Sequence, residues 1–307
     1  MSGPLLPETW NARPFTVGEL RAAGLPPSRL RHAALHLPTR SVRSARPVQT
    51  LAERAAAFAL ALPGDIAFSH ATAALLLGLP MPGQFESGTV LDVMRDSCRT
   101  PIRRNLCAGH RGLESRRVSE VSGLRVVAAP DTWCDLGELV CRGLTVDDLV
   151  VAADHVLNRL GPDAATLGEN LAQRCRPRGS KSLEEALTLA RQGVRSPMES
   201  RARLMFVRAG FPEPEVNADV LDSHGGWLLE GDLVWHQQRV VGEYQGSDHA
   251  SLKRRSADAS RTTSAEAEDY RILEIYAEDV YRRARRRACL IRFARAIALD
   301  PSRLRIA

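Results

Sequence analysis

Two acidic residues stand at neighbouring apolar stretches late in the chain. Asp232 precedes Leu233, Val234 and Trp235, and Glu243 follows Val240, Val241 and Gly242. A strand shows alternate residues on one face, so Glu243 and Gln245 share a face. The polar run His236-Gln237-Gln238-Arg239 supplies a short loop, and the resulting hairpin brings Asp232 and Glu243 together at one end of a sheet. Two carboxylates held close repel each other unless a positive charge lies between them. A hard divalent cation, Mg2+ or Mn2+, takes oxygen ligands of this kind and leaves its remaining positions to water and substrate phosphate. Asp232, Glu243 and the backbone carbonyl of Tyr244 are the expected ligands, with Glu199 assisting through water. Such an ion acidifies a bound water and neutralises phosphate charge, which is the ground plan of a phosphodiesterase.

These residues resemble the PD-(D/E)xK nuclease superfamily, and within it the very-short-patch-repair-like endonuclease domains. The likeness runs from Ser196 to Leu290, about a third of the chain. Ser196-Pro197-Met198-Glu199-Ser200 is similar to the opening helix, with Glu199 turned to the metal. Asp232 matches the motif's Asp, Glu243 its second acid, and Gly246 with His249 the family's Gly-x-x-His. Asp258 and Arg261 fall at the family's Asp-x-x-Arg, on a following helix. The motif's Lys is Gln245 here, so a neutral amide stands where an ammonium would orient the attacking water or steady charge on phosphorus. What the resemblance implies is a metal-dependent DNA endonuclease, with His249 as a donor to a phosphate oxygen or to the leaving group.

Each residue also has a plain structural role open to it. An Asp at a strand start often forms a turn by binding nearby amides. Glu199 can serve the first turn of a helix, and Asp258 with Arg261, three apart, can pair on one helical face. Glu243 is the hardest to read this way, because it sits in an apolar run where an unpartnered acid is costly. His70, in an apolar helix-like stretch, reads as a cap or a core-edge residue rather than a catalytic one.

Charge points to a polyanionic partner. The 307 residues carry 42 Lys and Arg against 36 Asp and Glu, a formal net charge of +6. Arg282-Arg283 with Arg285-Arg286-Arg287 form one cluster and Lys253-Arg254-Arg255 another, and both flank the acidic motif. Guanidinium forks suit phosphate oxygens. Near the start, Thr16 caps a short helix from Val17 to Ala23, Gly24-Leu25-Pro26-Pro27 turns the chain, and Ser28 to Leu35 reads as a second helix bearing Arg29 and Arg31. That is a helix-turn-helix pattern, placing Arg29 and Arg31 against DNA. The stretch to about Val150 resembles the winged-helix and following domain of the abortive-infection type IV antitoxin family. Phe15-Thr16, Ala23-Gly24-Leu25, Phe68 to Ala74 with Leu77-Gly78-Leu79-Pro80, and Ala128 to Trp133 with Asp135-Leu136 carry the likeness, and Thr39-Arg40-Ser41-Val42 stands where the wing usually ends in Arg-Gly.

The elements that must position these residues follow from the breaks in the chain. We expect an α+β protein: a winged-helix-like segment over 1–48, an α+β middle domain over 49–160, a helical linker over 161–195 and a restriction-endonuclease-like domain with a mixed sheet over 196–307. In the last domain the helix Ser196 to Ala209 leads into strands at Val216 to Leu221, Leu228 to Trp235 and Arg239 to Tyr244. A crossover helix over Lys253 to Glu266, a strand over Tyr270 to Tyr276 and one final helix over Asp279 to Ile297 complete it. No apolar run reaches the length of a membrane span, and the start lacks a secretory pattern, so a cytoplasmic protein without membrane partners is expected. The six cysteines show no metal or disulfide spacing. DNA is the expected partner, and a homodimer and a toxin or defence-system partner are compatible with the resemblances. Two other classes stay open: a cleavage-inactive DNA-binding regulator of antitoxin type, and an interaction module that binds no nucleic acid.

Overall fold

The computed structural model describes residues 10, 12–24, 26, 28, 32, 34–160, 165–246, 265 and 267–306. The fold is mixed α+β and divides into two units, Met1–Leu144 with Glu169–Ser180, and Thr145–Gly168 with Lys181–Ala307. The span expected as a linker is thus shared between the two.

In the first unit, the Thr16 hydroxyl accepts the Glu19 amide and the Glu19 carboxylate accepts the Thr16 amide. This capping box starts α1 (Val17–Ala22), whose Leu20 is buried with Phe15. β1 (Phe15–Thr16) pairs antiparallel with β2 (Val42–Arg43). The second helix expected over 28 to 35 is not formed by its described residues, Ser28, His32, Ala34 and Leu35. There the His32 ring accepts the Ala34 amide at Nδ1, and a side chain that takes a nearby backbone donor competes with helix. Arg29 and Arg31 lie outside the described residues.

The main sheet of this unit contains β3 (Ala67–Phe68), β4 (Leu91–Arg95), β5 (Cys107–Arg111), β6 (Val118–Val121) and β7 (Leu124–Val127), in the order β5-β4-β3-β7-β6. β3 runs antiparallel to β4 and parallel to β7, and β4 runs parallel to β5. α2 (Leu51–Ala59), capped by Thr50, places Ala55 and Phe58 against Phe68, Leu91, Val93 and Val126. α3 (His70–Leu76) leaves the end of β3, and α4 (Gly83–Glu86) follows it. α5 (Ala129–Leu136) runs directly into a 3-10 turn, Gly137–Arg142.

The second unit opens with α6 (Val146–Leu160). α7 (Ala165–Ala172), which crosses the division at Gly168, and α8 (Ser180–Leu189) fall within the span expected as a helical linker. α9 (Pro197–Ala209) has Ser196 as its cap and Pro197 in its first turn, where a missing N–H costs nothing, and it stops at Gly210 with φ +96°. A four-stranded mixed sheet follows, in the order β11-β10-β9-β8, from β8 (Glu215–Leu221), β9 (Trp227–Trp235), β10 (Val240–Gln245) and β11 (Arg271–Tyr276). β8, β9 and β10 form an antiparallel meander, and β11 lies parallel to β10 with Glu243 opposite Glu274. This is the strand arrangement the sequence predicts. The crossover span from Lys253 to Glu266 lies outside the described residues except at Ala265.

One face of this sheet packs on helices. Phe206 of α9 meets Phe211, Trp235 and Phe293 with ring centroids 5.0, 5.1 and 4.6 Å away, and the Trp235 indole donates to the Pro212 carbonyl. Val220, Leu229, Val234 and Val241 cluster on the other face with Ala265. The single helix expected over Asp279 to Ile297 is two, α10 (Ala277–Tyr281) and α11 (Arg283–Ala296), because Arg282 takes an extended backbone at φ −102° and ψ 117°. The Arg286 guanidinium satisfies the Val280 carbonyl left open at that break.

Candidate functional site

The acidic corner of the second unit is built where β9 and β10 part. Their ladder ends at Gly242 opposite Leu233. One residue further on, Asp232 Oδ2 accepts the Tyr244 amide at 2.7 Å, so the carboxylate occupies the place of a backbone acceptor. Beside it, Gly231 makes room that no other residue could. A Cβ there would lie 2.5 Å from Val241 Cγ1 and 2.8 Å from Val234 Cγ2, with Glu243 Oε1 at 3.7 Å. Asp232 and Glu243 therefore stand on neighbouring strands near the end of the β9–β10 ladder.

Glu199 joins from the first turn of α9. It is buried, with Oε2 accepting the Arg195 amide at 2.9 Å and the Asn217 side-chain amide at 2.8 Å. Asn217 itself adopts φ +48°, a left-handed conformation that asparagine tolerates better than most residues. Burial holds the Asp232 carboxyl above the ordinary aspartate range. The Tyr244 amide opposes this, and the Glu199 charge adds to it. Arg195 offsets part of the negative charge but directs its guanidinium to Glu230, Nη1 to Oε2 at 2.6 Å.

Glu199, Asp232 and Glu243 do not close into a three-carboxylate set with every pair of ligand atoms within 4.8 Å. Gln245 is exposed at the open end of β10, opposite Tyr276. His249, Lys253, Arg254, Arg255, Asp258 and Arg261 lie outside the described residues. Of the arginines at the start of α11, Arg282 in the break and Arg283 are exposed, Arg285 pairs with Asp279 at 3.2 Å, and Arg286 holds Val280.

A second constellation, in the first unit, does close to ligand spacing. His70, His110 and Glu138 present ligand atoms all within 4.8 Å of one another. His70 and His110 stack with ring centroids 3.7 Å apart. His70 is buried, 1% exposed, so it is neither a cap nor a core-edge residue. Its Nε2 lies 3.9 Å from Glu138 Oε2, too far for a hydrogen bond. The nearby His70 ring, with Arg178 assisting, holds the Glu138 carboxyl below the ordinary glutamate range against the effect of burial. Sequence spacing hides this group, because one member starts a helix, one ends a strand pair and one lies in a 3-10 turn.

Among the described residues no helix is long and apolar enough to cross a membrane. No protein-family model matches the chain. Two uncharacterized proteins from strains of Mycobacterium tuberculosis, MT2308 and Rv2248, are each 28% identical to it over 176 residues. The match covers 57% of this chain and 63% of each relative, so the chain spans less than two thirds of the proteins it matches.

Proposed function

We propose that the second unit is a metal-dependent DNA endonuclease, with the Asp232–Glu243 corner as its hydrolytic site. The observation that carries this is the Asp232 carboxylate. It is held by the Tyr244 amide at the point where the hairpin opens, is burdened by burial and by the Glu199 charge, and stands on the strand next to that of Glu243. Carboxylates so placed favour a cation over further negative charge.

The donors are all hard oxygens and fit Mg2+ or Mn2+, which Asp232, Glu243 and the Tyr244 carbonyl would hold, with Glu199 reaching it through water. When bound, such an ion lowers the pKa of a water and offsets charge on the scissile phosphate. The chain's own groups do the rest. Asp232, tied to the Tyr244 amide, keeps the β10 backbone in place. Gln245, exposed on the same strand, orients the attacking water by hydrogen bonding without adding charge. Arg282 and Arg283 supply exposed positive charge for the phosphate backbone, and the resulting affinity should fall steeply with salt.

The test is Mg2+-dependent cleavage of duplex and single-stranded DNA by the full chain and by Glu243→Ala, with circular dichroism to show that the variant folds. Loss of cleavage with intact DNA binding supports the assignment, and equal cleavage removes it. A second reading rests on one residue. The neutral Gln245 in place of an ammonium favours a DNA-binding regulator that no longer cuts, and salt-sensitive DNA binding with no metal-dependent cleavage would select it.

A further inference from the structure

We propose that His70, His110 and Glu138 form a binding site for a divalent transition-metal ion, with Zn2+ as the best match. The site lies wholly in the first unit and is independent of the nuclease reading. Three observations combine to support it.

The first is the donor set and its spacing. Two imidazoles and one carboxylate, with ligand atoms all within 4.8 Å, are the ligand types of open Zn2+ sites. Ligands about 2.0–2.2 Å from a tetrahedral ion lie roughly 3.3–3.6 Å apart. His70 Nε2 and Glu138 Oε2, at 3.9 Å, need to close by only a few tenths of an ångström. Nitrogen ligands also separate this site from the all-oxygen corner of the second unit.

The second is the support behind each imidazole. Metal-bound histidines are oriented by a hydrogen bond to the other ring nitrogen. Asp92 Oδ1 lies 2.9 Å from His110 Nε2, and a carboxylate only accepts, so Nε2 carries the hydrogen and Nδ1 keeps its lone pair. Ser69 stands behind His70 in the same way, as a polar partner to its other ring nitrogen. It occupies the cap position of α3, yet its side chain makes no capping bond and instead lies 3.0 Å from His70 Nδ1. A serine that leaves a helix amide for a ring nitrogen holds that ring in place.

The third is what remains unsatisfied. His70 Nε2 is buried with no hydrogen-bond partner, and His70 takes φ +47° at the start of α3. A buried unpaired ring nitrogen and a left-handed non-glycine backbone are both unfavourable, and such costs gather at ligand sites. A metal ion at Nε2 satisfies the first directly. The group opens on a cavity of about 770 Å³, where Arg116, Arg174 and Arg178 are paired with Asp135, Asp131 and Glu138.

The experiment is calorimetric titration of the chelator-stripped full chain with Zn2+, together with Co2+ substitution followed by visible absorption. One equivalent bound, with the d–d bands of a tetrahedral nitrogen and oxygen site, is expected. It should persist in an Asp232→Asn/Glu199→Gln variant, which separates it from the acidic corner. His110→Ala should lose that equivalent, and Asp92→Asn should weaken it about 10- to 100-fold. Should His110→Ala fail to fold, Glu138→Gln decides, since Glu138 is only partly buried. Unchanged affinity in a folded His110→Ala or Glu138→Gln overturns the proposal. So does a thiolate charge-transfer band, which would place the ion on a cysteine.

Discussion

Asp232 takes the Tyr244 amide through its carboxylate at 2.7 Å, one step beyond the last β9–β10 ladder pair. A side chain thus closes the hairpin where a backbone carbonyl would otherwise do so. This contact explains how an acid can be both half-buried and useful. The amide fixes one carboxylate oxygen and leaves the other for a second partner. It also separates the two roles open to Asp232, because an asparagine can keep the hydrogen bond but cannot keep the charge.

Asp232→Asn is therefore expected to fold normally and to lose metal-dependent cleavage by about 100-fold or more. Burial disfavours the charged carboxylate, so the neutral variant should melt at the same temperature as the parent or higher. Thermal unfolding and a cleavage assay on one preparation check both halves. A destabilised variant that still cuts would reduce Asp232 to a turn former.

Gln245 gives a prediction of opposite sign. It is exposed at the end of β10, so a longer side chain meets no packing obstacle. Gln245→Lys puts an ammonium where the nuclease pattern has one, and it should raise the cleavage rate about 10-fold or more with little change in DNA affinity. Rates at saturating Mg2+ across a salt series separate catalysis from binding. An unchanged rate would mean that charge at this position does not limit the reaction.

Much of this second unit could be read from the sequence, and the reasons are local. Ser196-Pro197 ahead of the helix, Gly210 after it, and short apolar strands around Asp232 and Glu243 each obey rules that act within a few residues. The parallel pairing of β11 with β10 also followed from the crossover expected between them. What stayed hidden depends on distant partners. The break at Arg282 is served by Arg286 reaching back to Val280, and Glu199 is held by Asn217 from another element. His70, His110 and Glu138 lie 40 and 28 positions apart in sequence, at no motif spacing, and only the β4–β5 pairing and the turn after α5 bring them together. His32 is a smaller case, where one imidazole accepting the Ala34 amide opposes a helix that residue types alone favour.

Asp148 sets a pH dependence on the second unit. Burial raises its carboxyl, but hydrogen bonds from Thr145 and Arg201 outweigh this and leave it below the ordinary value of 3.8. A carboxyl lowered on folding adds stability that is complete above its unfolded pKa and is lost as pH falls through the folded one. Unfolding midpoints in urea should therefore decline as pH drops below 3.8, and Asp148→Asn should flatten that decline while lowering stability at neutral pH. A parallel decline in the variant would assign the acid sensitivity to other carboxylates.

Arg203 and Asp154 form the most deeply buried ion pair among the described residues, with side chains 0% and 1% exposed. Arg203 Nη1 also donates to Glu213 at 2.7 Å and its Nη2 to the Leu189 carbonyl, while Asp154 accepts from Ser200 and from the Arg191 amide. Breaking such a pair from one side leaves the other charge uncompensated. Arg203→Ala is expected to destabilise the second unit by about 3–5 kcal/mol. Burial already raises the Asp154 carboxyl, and losing the arginine raises it further. A carboxyl raised on folding is best tolerated below its unfolded pKa, and its contribution to stability falls as pH rises through the folded value. The deficit of Arg203→Ala relative to the parent should therefore shrink on acidification, the reverse of the Asp148 case. Replacing both partners, as Arg203→Met with Asp154→Leu, should recover most of the loss, since a matched apolar pair leaves no buried charge. A double variant as unstable as the sum of the two single changes would show that the Ser200, Glu213 and Leu189 contacts, rather than the ion pair, hold α9 in place.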